Sequence, residues 1–259
     1  MTDQVRIENN GGILTLTLAR PDKKNALTDA MYGKLADTIE SAESAESDPA
    51  TRVILIRGEG DMFTAGNDVG EFAAVAAGKS EGSRNVVRFI QSLARCTRPM
   101  VAAVQGRAVG VGTTMLLHCD LVVLADNAQL STPFVSLALV PEAASSLLMP
   151  ARIGYARAYE MFALGETVPA RSALEWGLAN RVVPLGQLDA EALALAQRLA
   201  RQPAGALIAT KKLMRNGEAL VAQMNAEGEQ FGQRLRTAEA REAFTAFAER
   251  RPPDFTKLA

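Results

Sequence analysis

The sequence predicts an α/β fold, because apolar strands, glycine-bearing loops and amphipathic helices alternate along most of its 259 residues. Two apolar runs, at 53–56 and 100–104, each lead into a loop that contains glycine and then into a helical pattern. A third apolar run, at 121–124, follows a short predicted helix. This recurrence is typical of a sheet covered by helices.

The first elements follow from residue type and spacing. Residues 13–18 read Ile-Leu-Thr-Leu-Thr-Leu and predict a strand, since they are rich in β-formers and partly alternate. Residues 28–46 predict a helix that Thr28 caps. Its apolar stripe consists of Met31, Leu35, Ile39 and Ala42.

The later elements are less regular. After the 53–56 strand we predict helices at 69–77 and 83–95, a strand at 100–104, a glycine-rich turn, a helix at 113–119 and a strand at 121–124. From about Leu188 onward helical patterns dominate, with a break at Gln202-Pro203 and no convincing strand after Val182-Val183. We therefore predict a core over residues 1–199 and a helical C-terminal region over 200–259 that closes the core or builds an oligomer interface.

Composition excludes several classes of protein. Hydrophobic residues make up 48% and charged residues 22% of the chain, which is ordinary for a globular protein. A net charge of −1 gives no field that would attract nucleic acid or an anionic membrane. The two cysteines cannot build a disulfide framework, and the N-terminal residues lack signal-peptide features. We expect a cytoplasmic protein without a membrane span.

Most common catalytic motifs are missing from the sequence. His118 and Cys119 are adjacent, but neighbouring helical residues point about 100° apart, so we expect a packed histidine rather than a nucleophile–base pair. No ligand spacing indicates zinc, and no nucleophile elbow or phosphate loop is present. Gly110-Val111-Gly112 lacks the third glycine of a dinucleotide-binding fingerprint.

Two loops, GEGDMFTAGND and QGRAVGVGTT, each follow a strand and lead into a helix. Such turns present backbone N–H groups that have no partner inside the helix. Two converging N–H groups form an oxyanion hole, which stabilises charge on a carbonyl oxygen. Taken one at a time, each loop indicates only that glycine permits a tight turn.

Together these segments resemble the enoyl-CoA hydratase/isomerase, or crotonase, superfamily over nearly the whole chain. The resemblance is carried by RPDKKNALT, VILIRGEGDMFTAGND, RPMVAAVQGRAVGVG, CDLVVLADNAQLSTPF and ALEWGLANRVVP. It implies a spiral of ββα units, a helical C-terminal trimerisation region, assembly as a homotrimer or dimer of trimers, and an acyl-CoA thioester substrate without a further cofactor or metal. It also places the oxyanion-hole N–H groups on Asn67, after Gly66, and Val111, after Gly110.

The resemblance further distinguishes between reactions. The two glutamates of the hydratase branch are replaced by Thr114 and Phe134. The Δ3,Δ2-enoyl-CoA isomerase branch uses one glutamate, and the matching segment, PEAASS, places it at Glu142. We therefore predict an enoyl-CoA isomerase in which Glu142 moves a proton from C2 to C4. The departures are Val111 and Ala143, which stand where glycine is usual.

Glu142 also has a simpler interpretation. Pro141 suits a first helical turn, and a glutamate there interacts favourably with the helix dipole by about 0.3–1 kcal/mol. Apolar surroundings would raise the pKa of its carboxyl, whereas a helix N-terminus would lower it. The residues by themselves leave this competition open.

Substrate contacts are predicted by the same resemblance. The residues expected to contact the substrate or its CoA moiety are Lys24, Ala65, Gly66, Asp68, Val69, Gly110, Phe134 and Arg250. For Lys24 and Arg250, an ordinary solvated surface charge is an equal alternative.

Three other functions stay open at this point. An isomerase of ring-type CoA esters is similar, although such enzymes place an aspartate where Glu142 stands. A weak hydratase using Glu142 alone is the second, and a non-catalytic acyl-CoA binder is the third. RNA binding is disfavoured because the first helix carries acidic residues and a single lysine.

Overall fold

A six-stranded sheet forms the centre of the protein. The structure, a computed structural model, describes residues 3–43, 50–68, 70–71 and 84–258. The strands of this sheet are β1 (Val5–Asn10), β2 (Ile13–Leu18), β3 (Val53–Gly58), β4 (Met100–Val104), β6 (Leu121–Ala125) and β9 (Arg181–Val183). They lie in the order β1-β2-β3-β4-β6-β9, with β1 antiparallel to β2 and all later pairs parallel.

A second, three-stranded sheet lies beside the first. It contains β5 (Arg107–Val109), β7 (Gln129–Ser131) and β8 (Val168–Pro169), with β7 in the middle. Strands β5 and β7 run parallel, and β8 is antiparallel to β7. Because β4 is separated from β5 only by Gln105 and Gly106, the chain turns directly from one sheet into the other.

Helices surround the sheets. Their bounds are α1 (Asp29–Glu43), α2 (Arg84–Arg95), α3 (Val111–Thr114), α4 (Ser145–Ile153), α5 (Tyr155–Leu164), α6 (Ala170–Trp176), α7 (Leu188–Ala200), α8 (Ala204–Met214), α9 (Gly217–Leu235) and α10 (Ala238–Glu249). Short 3-10 turns follow α3 at Met115–His118 and precede α7 at Leu185–Gln187.

Alternation along the central strands divides the interior into two hydrophobic clusters. Ile54 and Ile56 of β3 face the larger cluster, which helices α1, α2 and α9 cover. Val53 and Leu55 face the smaller cluster, which the apolar side of α7 covers. Successive strand residues point to opposite faces, so a strand buried on both faces is apolar throughout.

The predicted α/β fold with a helical C-terminal region is confirmed. Several elements differ from the sequence-based expectation. Helix α1 is capped by Thr28 as predicted and ends at Glu43, while 44–46 lie outside the described residues. Apart from residues 70–71, which are helical, the predicted 69–77 helix also lies outside them.

The segment from 107 to 119 is the clearest correction. The predicted glycine-rich turn contains strand β5, and the predicted 113–119 helix is a single α turn from Val111 that tightens into a 3-10 turn. Strand β1 and helices α4 to α6 were not predicted. Strand β1 buries only Val5 of its six residues, and the three helices are short patterns whose apolar sides are buried by distant parts of the chain. Over the described residues, no helix is long and apolar enough to cross a membrane.

Candidate active site

Two loops, one after β3 and one after β5, meet side by side. Thr64 pairs with Ala108 in a parallel bridge, and Asn67 and Val111 each lie three residues beyond that bridge. The approach is close, since a Cβ added at Gly66 would lie 2.6 Å from the Val109 carbonyl oxygen. Only glycine permits this contact.

Each loop turns at a glycine in the left-handed region. Gly66 has φ 88° and Gly110 has φ 57°, and these turns precede Asn67 and Val111. Val111 is the first residue of α3, so its N–H has no partner inside that helix. Within the described part of the chain, neither the Asn67 N–H nor the Val111 N–H donates a hydrogen bond. Two donors are therefore available where the loops meet.

The Glu142 carboxyl faces α3. Thr114, at the end of that helix, donates its hydroxyl to Glu142 Oε1 at 2.5 Å. Burial raises the pKa of Glu142 to about 7 and the nearby Glu227 charge adds to the rise, while the Thr114 hydrogen bond opposes it. The residue keeps a partly exposed surface although its carboxyl is surrounded by protein. Glu142 thus meets the chemical requirement for a base that works near neutral pH.

The helix-start interpretation of Glu142 is wrong. Helix α4 begins only at Ser145, and the two residues between have left-handed conformations, Ala143 with φ 59° and Ala144 with φ 55°. Only the Glu142 carbonyl takes part in a local contact, accepting from the Ser145 N–H at 3.1 Å. The side chain is therefore free of a capping role, and its pKa follows burial.

His118, at the end of the 3-10 turn after α3, forms a hydrogen bond to this turn. Its Nε2 lies 2.8 Å from the Ala143 carbonyl oxygen, and an Arg215 guanidinium nitrogen contacts its Nδ1. Because Arg215 can only donate, Nδ1 accepts and Nε2 carries the proton that reaches Ala143. Burial lowers the pKa of His118 far below its usual value, so the ring is neutral. The expected packed histidine is confirmed, and Cys119 contacts Met115 rather than His118.

Glu227, on α9, approaches the same turn, and sequence analysis did not identify it. Its carboxylate accepts from the Ala144 N–H at 2.6 Å, the Ser146 N–H at 3.0 Å and the Ser146 hydroxyl. Only 6% of Glu227 is exposed. A single acidic residue in an amphipathic helix carries no sequence signal for such a role, because its partners lie more than 80 residues earlier.

The side chains at the first loop have protein partners. The buried Tyr32 donates its hydroxyl to Asn67 Oδ1 at 2.5 Å. Burial raises the pKa of Tyr32, and the Glu142 charge contributes to this rise, so the two groups are close enough to interact. Asp68 forms an ion pair with Arg20 at 2.8 Å, which lowers the pKa of Asp68. The contacts of Asn67 with Tyr32 and of Asp68 with Arg20 therefore fix the loop in place.

The remaining predicted contact residues occupy different environments. Lys24 is exposed and pairs with Asp61 at 2.7 Å, while Arg250 is exposed after α10. Phe134 is buried against Phe162, with ring centres 6.1 Å apart. The Ala65 N–H already donates to the Lys24 carbonyl, and Val69 lies outside the described residues.

A metal site was not expected from the sequence. Among the residues that the structure describes, no group of three or more His, Cys, Asp or Glu side chains is arranged to hold a metal ion.

Comparison with known proteins identifies relatives of the whole chain. A sequence model described as enoyl-CoA hydratase/isomerase matches residues 8–258. The 1,2-epoxyphenylacetyl-CoA isomerase of Escherichia coli (strain K12) is 34% identical over 95% of each chain. The enoyl-CoA delta isomerase 2 of Rattus norvegicus is also 34% identical, over 83% of this chain and 55% of its own length.

A solved structure shows the same architecture. The enoyl-CoA hydratase/isomerase from Pseudoalteromonas atlantica T6c superimposes with a TM-score of 0.91 and 40% identity, over 98% of this chain and 100% of that one. The predicted crotonase-like fold is therefore confirmed. The chain belongs to the enoyl-CoA hydratase/isomerase family, whose enzymes act on CoA esters.

Proposed function

We propose that the protein is a Δ3,Δ2-enoyl-CoA isomerase that moves a double bond from C3 to C2 with Glu142 as its single base. The observation that carries this proposal is the environment of Glu142. Burial raises the pKa of its carboxyl to about 7. The carboxyl lies beside Thr114, at the end of the helix that begins at Val111. A carboxylate with this pKa can take a proton from carbon and return it afterwards.

The proposed reaction starts with the thioester oxygen between the N–H groups of Asn67 and Val111. Glu142 removes a proton from C2, and the electron pair of that C–H bond moves toward the thioester, placing negative charge on its oxygen. The resulting dienolate keeps both former double-bond carbons in conjugation. Glu142 then returns the proton to C4, which restores the thioester carbonyl and leaves the double bond at C2.

The surroundings of Glu142 favour isomerisation over hydration. Hydration in the hydratase branch uses two glutamates, and their positions hold Thr114 and the buried Phe134 in this chain. Glu227 does not replace either of them, because its carboxylate oxygens are occupied by the Ala144 and Ser146 donors. Among the residues that the structure describes, Glu142 is the carboxylate placed beside Thr114 and the Val111 helix, and one such base fits a reaction that removes and returns one proton.

A ring-type CoA ester is the second candidate substrate. The relative from Escherichia coli is named a 1,2-epoxyphenylacetyl-CoA isomerase and matches 95% of this chain. The same oxyanion hole and base would serve a proton shift next to a ring. The glutamate at 142 leads us to place straight-chain substrates first.

The other parts of the assignment remain proposals. The backbone of residues 65–68, together with Gly110 and Phe134, is proposed to line the substrate path. Lys24 and Arg250 are proposed to meet CoA phosphates, for which Lys24 would exchange its exposed Asp61 partner, since a surface ion pair contributes little to stability. The reaction as written requires no cofactor beyond the CoA of the substrate, and we propose a homotrimer or a dimer of trimers.

The decisive variant is Glu142→Gln, which keeps the shape of the side chain and an oxygen for the Thr114 hydroxyl. We expect it to lower kcat for a 3-enoyl-CoA by about 10²–10⁴-fold, the usual contribution of a general base. Formation of the conjugated 2-enoyl-CoA is followed by its ultraviolet absorbance, and CoA binding by calorimetry should be preserved.

The matched control is Glu160→Gln, at an exposed position of α5, which should leave the rate unchanged. Wild-type protein that converts neither the 3-enoyl-CoA nor a ring-type ester would contradict isomerase activity. Full activity of Glu142→Gln would exclude Glu142 as the base. Hydration of a 2-enoyl-CoA at a rate above isomerisation would identify a hydratase instead.

A further inference from the structure

Glu227 is a buried carboxylate whose contacts all converge on one short turn. Two backbone N–H groups, of Ala144 and Ser146, and the Ser146 hydroxyl donate to its two oxygens. Gln223, one helical turn earlier on α9, donates to the Ser146 hydroxyl oxygen at 2.9 Å. The Ser146 hydroxyl hydrogen is thereby directed toward Glu227. Burial raises the pKa of Glu227, while these three hydrogen bonds all donate to the carboxyl and oppose that rise by favouring its ionised form.

The turn that Glu227 holds carries Glu142. Ala143 and Ala144 both adopt left-handed conformations, which disfavour a residue with a Cβ by about 1–2 kcal/mol each. The Ala144 N–H bond to Glu227 and the Ala143 carbonyl bond from His118 offset this cost. The direction of the Glu142 side chain therefore depends on contacts from α9 and from the 3-10 turn after α3.

The negative charge of Glu227 is the second connection between this residue and Glu142. Glu227 contributes to the raised pKa of Glu142 through like-charge repulsion, after burial as the main cause. Of the other described titratable groups near the turn, Tyr32 and His118 are un-ionised through burial, and the Arg215 guanidinium that contacts His118 is cationic. Among the described residues, the Glu227 carboxylate is therefore the neighbouring negative charge that raises the pKa of Glu142.

We infer that Glu227 is a positioning residue for Glu142: it fixes the 143–146 turn through hydrogen bonds and places a negative charge behind the base. This inference rests on the proposed function only in naming Glu142 as the base. The C-terminal helical region would then take part in the reaction through α9, and not only in closing the core.

Two variants separate the hydrogen bonds from the charge. Glu227→Gln removes the charge and turns one acceptor into a donor that faces the turn. We expect kcat to fall by about 10- to 100-fold, because a small displacement of a catalytic group commonly lowers the rate by this much. We also expect the acidic limb of the pH–rate profile to move to lower pH, with KM nearly unchanged. Glu227→Asp keeps the charge with a shorter reach, so kcat should fall while the acidic limb keeps its wild-type position.

A readout without substrate tests the same inference. The carbon-13 shift of the Glu142 carboxyl, assigned by its absence in Glu142→Gln, is titrated from about pH 5 to pH 9. Its midpoint should be lower in Glu227→Gln than in the wild type. If Glu227→Gln does not fold, Ser146→Ala removes one donor and retains the charge, so kcat should fall with the midpoint unmoved.

The control is Glu229→Gln, which changes an exposed glutamate of the same helix and should alter neither rate nor midpoint. A Glu142 midpoint that does not move in Glu227→Gln would overturn the inference, even with a lower kcat, because Glu227 would then serve folding alone. Failure of the proposed function has a different signature: Glu142→Gln would remain active whatever Glu227 does.

Discussion

The Glu142 carboxyl is less stable as an anion inside the protein than in water. Its pKa is raised from 4.5 to about 7 because burial removes water from the charged form more than the Thr114 hydroxyl replaces it. The folded state therefore binds this proton more tightly than the unfolded state. Stability linked to the proton is present below about pH 4.5 and is lost as the pH rises through about 7.

Glu142→Gln should consequently be more stable than the wild type above neutral pH. The neutral amide avoids the desolvation cost, and we expect a gain of about 1–2 kcal/mol at alkaline pH after allowing for the partly exposed side chain. The gain should disappear at acidic pH, where the wild-type carboxyl is already protonated. Urea unfolding of both proteins, with Glu160→Gln as the control, measures the difference at each pH. A gain that is the same at every pH would contradict the raised pKa.

At the scale of elements, the two glycine turns determine where the free N–H groups lie. Gly66 combines φ 88° with a position where a Cβ would lie 2.6 Å from the Val109 oxygen. Gly110 has φ 57°, but a Cβ added there would meet no other atom within 4 Å. A substitution at Gly66 would therefore push the loops apart, whereas one at Gly110 would impose backbone strain alone.

We expect Gly66→Ala to destabilise the protein by about 1–3 kcal/mol and to lower the proposed isomerase activity, because the shifted loop displaces the Asn67 N–H. Gly110→Ala should cost about 1–3 kcal/mol from strain, because φ 57° with ψ −118° is a conformation that residues with a Cβ rarely adopt. Gly186→Ala, where a Cβ meets no other atom within 4 Å and φ is ordinary, is the neutral control. Urea unfolding ranks the three variants. Equal stability of Gly66→Ala and Gly186→Ala would show that the loops do not need this contact.

At the scale of the whole molecule, the C-terminal helices are tied to the central sheet by polar contacts as well as by apolar packing. Lys211 of α8 is 8% exposed and its ammonium contacts Asp120, just before β6, at 2.7 Å. The Arg98 carbonyl, just before β4, accepts from the same ammonium at 2.8 Å. One side chain thus joins a late helix to the beginnings of two central strands.

Lys211→Met should cost about 1.5–3 kcal/mol of unfolding free energy, because Asp120 loses its charged partner while the apolar stem is kept. Guanidinium or urea unfolding measures this loss. Lys212→Met, at the exposed neighbouring position, should change stability by less than about 0.5 kcal/mol. Equal effects of the two substitutions would mean that the Lys211 contact does not stabilise the docking of α8.

Residue patterns along the chain were sufficient to predict the alternating strands and helices of the core. Apolar runs and periodicity show which residues of a segment are buried, and this depends on the sequence of that segment. The family resemblance, and not these patterns, singled out Glu142, since Thr114 and Phe134 stand at the two glutamate positions of the hydratase branch. Patterns did not predict the small second sheet, because its strands have only two or three residues and are stabilised by distant partners. They also did not predict the short helices α4 to α6.

Only the tertiary structure decided how Glu142 is held. Its carboxyl contacts Thr114, its turn contacts Glu227, and His118 fixes the carbonyl of Ala143, so three segments far apart in the chain meet at one place. The pKa of about 7 comes from that burial, and no helix start at Pro141 lowers it, because the helix begins at Ser145. Desolvation and hydrogen bonding depend on everything packed around a group, whereas a sequence pattern records only its neighbours along the chain.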